Sequence, residues 1–274
     1  MPELPEVETT RRGIAPFMSG HVLRQLIVHE SRMRWPIAAD LPGRVSGQVL
    51  RRCDRRGKYL LLHFDHGCLL VHLGMSGSLR RVSLSEPRRK HDHVEWCFDE
   101  SRFLLHDPRR FGALLWHDAQ QGPVETHPLL AHLGVEPLGE AFTASHLQRG
   151  IRGKQQAIKL ALLGGQIVVG VGNIYACESL FRAGIHPLTP AGRLSTRRVE
   201  RLHAAIQAVL ENALDSGGST LRDYVNASGQ PGAYFDAHAK VYDRAGQPCH
   251  TCQTPIRRIV QAQRATYYCP KCQR

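Results

Sequence analysis

The chain has 274 residues, 42% of them hydrophobic, and a formal net charge of +12 carried by arginines and lysines from Arg11 to Arg274, which gives an isoelectric point near 9.7. A folded protein of about two domains is expected, and its partner is expected to be a polyanion, nucleic acid before membrane, because no apolar run approaches the ~18–20 residues of a spanning helix. Pro2, Glu3, Pro5, Glu6 and Glu8 occupy the place of a basic and apolar leader, so no signal peptide is expected.

Removal of Met1 would leave Pro2 with a free secondary amine beside the carboxylate of Glu3. Such an amine can attack an electrophilic carbon and form a cationic iminium. An α-amino group has an unperturbed pKa of roughly 7.7–8.0, so much of it is deprotonated near neutral pH. The alternative at this position is an ordinary frayed terminus. Pro5 at the first helical position, then Glu6 and Glu8, with Arg11 and Arg12 towards the far end, predict a short helix aligned with its dipole.

From Val22 to Trp116 short β-rich runs follow: Val22–Val28, Tyr59–Phe64, Cys68–Leu73, Val94–Phe98, Phe103–Leu105 and Ala113–Trp116. Their length and punctuation predict an antiparallel sandwich or barrel. Asp65-His66-Gly67 reads as a three-residue hairpin loop with glycine in a left-handed position. That register sets Phe64 against Cys68 and His72 against Leu60, and brings Lys58 and His72 onto one face. Lys58 is then either a solvated strand-end charge or part of a basic site. His91, His93 and Glu95 alternate as a metal site would require, but a hydrated edge of a basic sheet explains them as well.

Helical signals dominate after about residue 127. Leu194–Gly218, capped by Ser195, places Val199, Leu202, Ile206, Val209, Leu210 and Ala213 on one buried face. Lys154–Leu163 ends at Gly164-Gly165, and Gly170-Val171-Gly172 leads into a helix from Asn173 to Gly184. A glycine-bounded turn between two helices can offer backbone N–H groups to phosphate. Residues 216–236 are rich in glycine and small polar side chains and read as a linker or as a lid. Cys53, Cys68, Cys97 and Cys177 read as small buried hydrophobes. Cys249, Cys252, Cys269 and Cys272 form two C-x2-C pairs, the spacing of one four-thiolate zinc ion, with two disulfides as the alternative.

MPELPEVETTRRG, RRGKYLLL, HLGMSGSLR, KHDHV, DPRRFGA, VVGVGNIYACESLFRAGIHP, QRATYYC and the four cysteines, in this order from end to end, closely resemble bacterial formamidopyrimidine-DNA glycosylase. That family comprises base-excision enzymes for oxidised purines. Endonuclease VIII of the same superfamily is similar at the N-terminus, the helix–two-turn–helix and the zinc finger. Leu4, with Met75, Arg109 and Phe111, favours the purine-directed branch.

The resemblance implies an α+β protein: an antiparallel β-sandwich flanked by helices over 1–130, a helical domain with the helix–two-turn–helix over 131–240 including a lesion loop at about 216–236, and a zinc finger over 241–274. It implies a bacterial cytoplasmic monomer with double-stranded damaged DNA in the cleft between the domains, one structural Zn2+, and no membrane partner. By family analogy Pro2 is the nucleophile, Glu3 the acid/base group, Lys58 a catalytic cation, and Arg264 the zinc-finger arginine that completes this set and grips the backbone. Met75, Arg109 and Phe111 correspond to the wedge that fills the vacated stack, with Arg110 the structural member of its pair. His72, Asn173, Tyr242 and Lys154 correspond to contacts with DNA, and Asp243 stands where the family often has glycine. The readings that compete with this enzyme are an oxidised-pyrimidine glycosylase and a damaged-DNA binding protein that does not cut.

Overall fold

A computed structural model describes residues 2–219 and 226–274. The chain divides into two compact units, Met1–Ala131 with Ser216–Phe235, and His132–Asp215 with Asp236–Arg274. The fold is mixed α+β.

In the first unit, helix α1 (Leu4–Met18) starts at Glu3 and Pro5 and runs through Pro16, further than the dipole pattern predicts. It buries Val7, Ile14 and Met18 in the core. Two four-stranded antiparallel sheets follow. One has the order β1 (Gln25–Val28), β6 (Asp92–Cys97), β7 (Arg102–His106), β5 (Ser78–Val82). The other has the order β2 (Arg52–Arg56), β3 (Tyr59–Phe64), β4 (Gly67–His72), β8 (Ala113–Asp118). A short helix α2 (Leu41–Val45) lies between β1 and β2 in sequence. Alternate residues of both sheets, such as Leu60, Leu62 and Phe64 on β3 and Val94 and Trp96 on β6, enter one core with the apolar side of α1. This is a sandwich by its two-residue period.

The β3–β4 hairpin corrects the expected register. Phe64 pairs with Gly67 and Tyr59 with His72, so the loop is only Asp65-His66. Gly67 is not among the left-handed residues. Glycine is needed there for space, since a Cβ would stand 2.4 Å from both the Trp116 ring and the His117 carbonyl. The expected face shared by Lys58, Leu60 and His72 therefore does not exist. His72 shares its face with Tyr59, ring centroids 4.8 Å apart.

The second unit contains α3 (Ala144–Ile151), α4 (Ile158–Leu163), α5 (Asn173–Ala183) and α6 (Thr196–Asp215). Gly184 closes α5 in a left-handed conformation, as glycine allows without a Cβ penalty. The apolar face of α6 is buried as its period predicts. Helix α4 starts four residues later than Lys154, because that segment bonds to 189–192 instead: Gly192 N–H donates to the Lys154 carbonyl and Ala191 N–H to that of Gln156. After α7 (Tyr234–His238), strands β9 (Arg257–Gln261) and β10 (Arg264–Tyr268) form a hairpin. It packs with Cys177 and Phe181 of α5. No described helix is long and apolar enough to cross a membrane.

Candidate active site and nucleic-acid interface

In the first unit Pro2 and Glu3 are buried at the start of α1. Met1 lies outside the described residues. Glu6, one turn on, is 1% exposed. Its Oε2 accepts the Glu3 N–H at 2.7 Å, and its Oε1 accepts both the Ser219 N–H at 2.7 Å and the Ser219 hydroxyl at 2.9 Å. A single carboxylate thus holds the candidate acid/base residue and the stem of the 216–236 stretch. That stem is further fastened where Arg81 N–H donates to Ala227 O, and where Gly13 makes room for Ala227, whose Cβ would be 2.6 Å from an added one. These anchors exclude a free linker for the described part, and residues 220–225 lie outside the described residues.

Glu8 is the second positioning carboxylate. It bonds Arg11 at 2.8 Å, Arg12 at 2.9 Å and Arg55 at 3.1 Å. Burial pushes its pKa up, but the bonds from Arg11 and Arg12 outweigh it and bring it down to about 2. Arg55 Nη1 also donates to the Gly57 carbonyl at 3.0 Å. Helix α1, which follows Pro2 and Glu3, is thereby tied to the β2–β3 turn that carries Lys58. In the sequence Glu6 and Glu8 read as helix-dipole charges alone, since nothing local signals partners 213 and 47 residues away.

His72 ends β4 beside this turn. Burial, then the charges of Lys58 and Arg34, push its pKa down to about 4. It is therefore neutral at pH 7, and a neutral imidazole meets DNA through hydrogen bonds and not through charge. Its Nδ1 accepts the Gly74 N–H at 3.0 Å.

Met75 and Phe111 are 43% and 45% exposed. The Arg109 guanidinium stands 5.1 Å over the Phe111 ring. Arg110 is left-handed (φ 54°) and reaches Glu30 at 3.4 Å, a structural contact. His91, His93 and Glu95 do not form the alternating face, because His91 has φ 74° and a bulge interrupts β6 between Asp92 and Val94. His93 instead donates to the Asp107 carbonyl, and Glu95 pairs with His29 at 2.7 Å.

In the second unit, the Asn173 side chain at the start of α5 donates to Tyr242 Oη at 3.1 Å and to the Ala265 carbonyl at 2.8 Å. Its Oδ1 accepts from Lys159 Nζ at 2.6 Å. Lys159 is fully buried and also donates to Thr266 Oγ1 at 2.6 Å. Nothing in its local sequence distinguished it from the exposed cations. Lys154, the lysine singled out from the sequence, is half-buried in the loop before α4. Glu178 fixes the segment of Tyr242 by accepting the N–H groups of Lys240, Val241 and Tyr242. Asp243 is left-handed, φ 60°, a conformation glycine adopts freely, and accepts the Tyr267 hydroxyl at 3.1 Å. Ala262 and Gln263 are both left-handed, the requirement of a tight two-residue hairpin turn. They leave Arg264 exposed at the tip.

The ligand atoms of Cys249, Cys252, Cys269 and Cys272 lie within 4.8 Å of one another. Four thiolates at this separation suit the corners of a tetrahedron about one zinc, whose role is structural because all four positions are filled by protein.

Three family models match in succession: the formamidopyrimidine-DNA glycosylase N-terminal domain over 1–114, its H2TH domain over 133–225, and the zinc finger found in FPG and IleRS over 246–274. The chain belongs to the formamidopyrimidine-DNA glycosylase family. It is 64% identical, over the full length of both chains, to the formamidopyrimidine-DNA glycosylase of Bordetella pertussis. Its fold matches the crystal structure of the MutM (Fpg) protein from Thermus thermophilus with a TM-score of 0.88, at 40% identity, covering 99% of this chain and 98% of that one. A variant of the Lactococcus lactis Fpg, in complex with DNA containing Fapy-dG, matches with a TM-score of 0.92 at 33% identity over the whole of both chains. Membership makes this chain a base-excision DNA glycosylase with a zinc finger.

Proposed function

We propose that this formamidopyrimidine-DNA glycosylase family member removes oxidised purines, 8-oxoguanine and formamidopyrimidines, from double-stranded DNA and then cuts the strand at the resulting abasic site. The observation that carries the reading is the buried Pro2-Glu3 pair, held by Glu6 on a helix that Glu8 and Arg55 tie to the Lys58 turn. The lesion named in the Lactococcus lactis complex supports the same substrate class.

The target nucleotide must leave the stack before an N-terminal amine can reach it, at a cost of a few kcal/mol. Met75 and Phe111 fill the space it leaves, and Arg109 hydrogen-bonds the orphaned base. The Pro2 nitrogen lone pair then forms a bond to C1′ as the glycosidic bond breaks, and the base departs with the electron pair of the glycosidic bond and takes up a proton. Glu3 transfers the protons that accompany opening of the sugar ring. The iminium between Pro2 and C1′ acidifies C2′, so loss of a C2′ proton expels the 3′ phosphate, a second elimination expels the 5′ phosphate, and water releases the sugar fragment from Pro2. Lys58 and Arg264 supply positive charge to phosphates, and Arg264 belongs to the catalytic set. Lys154, His72 and Tyr242 contact DNA. Because the Asn173 amide bonds protein partners, its phosphate contact comes from the backbone N–H at the start of α5.

Residues 1–130 supply the chemistry together with the loop at about 216–236, whose described part packs on that unit; the rest of 131–240 carries the helix–two-turn–helix, and 241–274 the zinc finger. The enzyme acts as a monomer in the bacterial cytoplasm. Incubation with a duplex carrying 8-oxoguanine opposite cytosine should release the base and nick the strand. Cutting of an oxidised-pyrimidine duplex alone would assign the endonuclease VIII activity instead, and binding without a nick would assign a non-catalytic role.

A further inference from the structure

The chain passes from one sheet to the other twice at the same place. At the end of β4 it leaves the β2-β3-β4-β8 sheet, carries Met75 across, and enters the other sheet at β5. At the end of β7 it returns, carries Arg109 and Phe111, and enters β8. The two crossings lie side by side: an added Cβ on Gly74 would be 2.4 Å from Gly112 N and 2.5 Å from the Phe111 carbonyl carbon. Between them sits the Asp107 side chain, fully buried. Its Oδ1 accepts the Ser76 hydroxyl at 3.0 Å, one residue after Met75, and its Oδ2 accepts the Gly112 N–H at 2.7 Å, one residue after Phe111. The Asp107 main chain is held on both sides, its N–H donating to His91 O at 3.0 Å and its carbonyl accepting from His93 Nε2 at 2.9 Å and Arg110 N at 3.1 Å. Asp107 is thus fixed to the sandwich, and each oxygen holds one crossing.

We propose that Asp107 is a positioning residue that yokes the two crossings through Ser76 and Gly112, so that Met75 and the Arg109–Phe111 pair enter the base stack as one body. The inference rests on the reading of those three side chains as the wedge. Two independent loops would each lose conformational freedom on insertion, whereas loops joined to one buried carboxylate are ordered before DNA arrives. The yoke touches neither the nucleophile nor the sugar, so it serves eversion and not elimination.

The test is a double-mutant cycle between Ser76→Ala and Met75→Ala, read as single-turnover release of 8-oxoguanine opposite cytosine, with strand cutting at a preformed abasic site and melting temperature measured on the same proteins. Ser76→Ala should slow base release about tenfold, the worth of one hydrogen bond to a charged group, and change cutting at the abasic site less than about twofold. In the Met75→Ala background the same substitution should have less than about a twofold further effect, because the link then has nothing to position. Asp107→Asn should rescue what Asp107→Ala loses, since its Oδ1 can accept from Gly112 while its Nδ2 donates to the Ser76 hydroxyl. If Met75→Ala alone leaves base release unchanged, the wedge reading falls and this proposal with it. If Met75→Ala is slow but Ser76→Ala is silent, additive, or equally damaging on both substrates, the wedge reading stands and the yoke is refuted.

Discussion

Glu6→Gln tests whether one buried carboxylate organises the catalytic end of α1. Among the described residues, its two oxygens accept hydrogen bonds from Glu3 N, Ser219 N and Ser219 Oγ. A glutamine amide has a single acceptor oxygen. With that oxygen towards Ser219, its NH2 group faces the Glu3 N–H, donor against donor. With the amide turned, the NH2 group faces the Ser219 N–H. Either way one buried backbone donor loses its acceptor, at about 1–3 kcal/mol, and the remaining bonds lose their charge assistance, so the total cost is about 2–4 kcal/mol. For a unit of this size that corresponds to a melting temperature about 5–15 °C lower. Ser219→Ala, which removes only the hydroxyl bond, should cost about 1 kcal/mol. Thermal unfolding followed by tryptophan fluorescence reads both, because Trp96 lies in the core of the same unit. A glutamine variant within about 0.5 kcal/mol of the parent, the range of an inconsequential surface change, would refute the reasoning.

Arg264→Ala should reduce the slope of log K against log salt for DNA binding by about one unit, as loss of one phosphate contact requires; an unchanged slope would remove Arg264 from the interface. His72 has a folded-state pKa of about 4 against an ordinary 6.5, so its contribution to stability is complete above pH 6.5 and is lost as pH falls through about 4. An imidazole resonance for His72 titrating near 6.5 would contradict the burial argument. Glu8, at about 2 against 4.5, likewise stabilises fully above pH 4.5 and loses that contribution as pH falls towards 2, and Glu8→Gln should remove this part of the acid profile. Chelation of the zinc should unfold the hairpin of β9 and β10 and abolish DNA binding, since metal affinity is folding energy in a module with so small a core; active protein without zinc would defeat this.

The features legible in the sequence were those with a local signature. The α6 face follows from its period, Gly184 from helix-stop chemistry, and the zinc ligands from their spacing. Strands β2 and β5 escaped because RCDRR and SLRRV contain few apolar residues; Arg80 is 6% exposed and paired with buried Asp92, a compensation only the fold supplies. Gly67 signalled a turn, but its absent Cβ serves the Trp116 ring, so the register was shifted by one. At the site, the N-terminal amine, Lys58 and the exposed Met75 and Phe111 stood out by motif. Glu6 and Asp107 within their motifs, and Lys159, did not, because each has a partner distant in sequence, Ser219, Ser76 and Thr266 in turn, and a charged residue without that partner reads as a solvated one.

In the proposed mechanism the Pro2 nitrogen performs the chemistry, and with Met1 attached that nitrogen is an amide whose lone pair is delocalised into a carbonyl. Borohydride reduction during turnover of an 8-oxoguanine duplex, followed by peptide mapping, tests it most directly. One covalent protein–DNA adduct is expected, located on an N-terminal Pro2, and none in protein that retains Met1. An adduct on Lys58, or full cutting by the Met1-retaining protein, would contradict it.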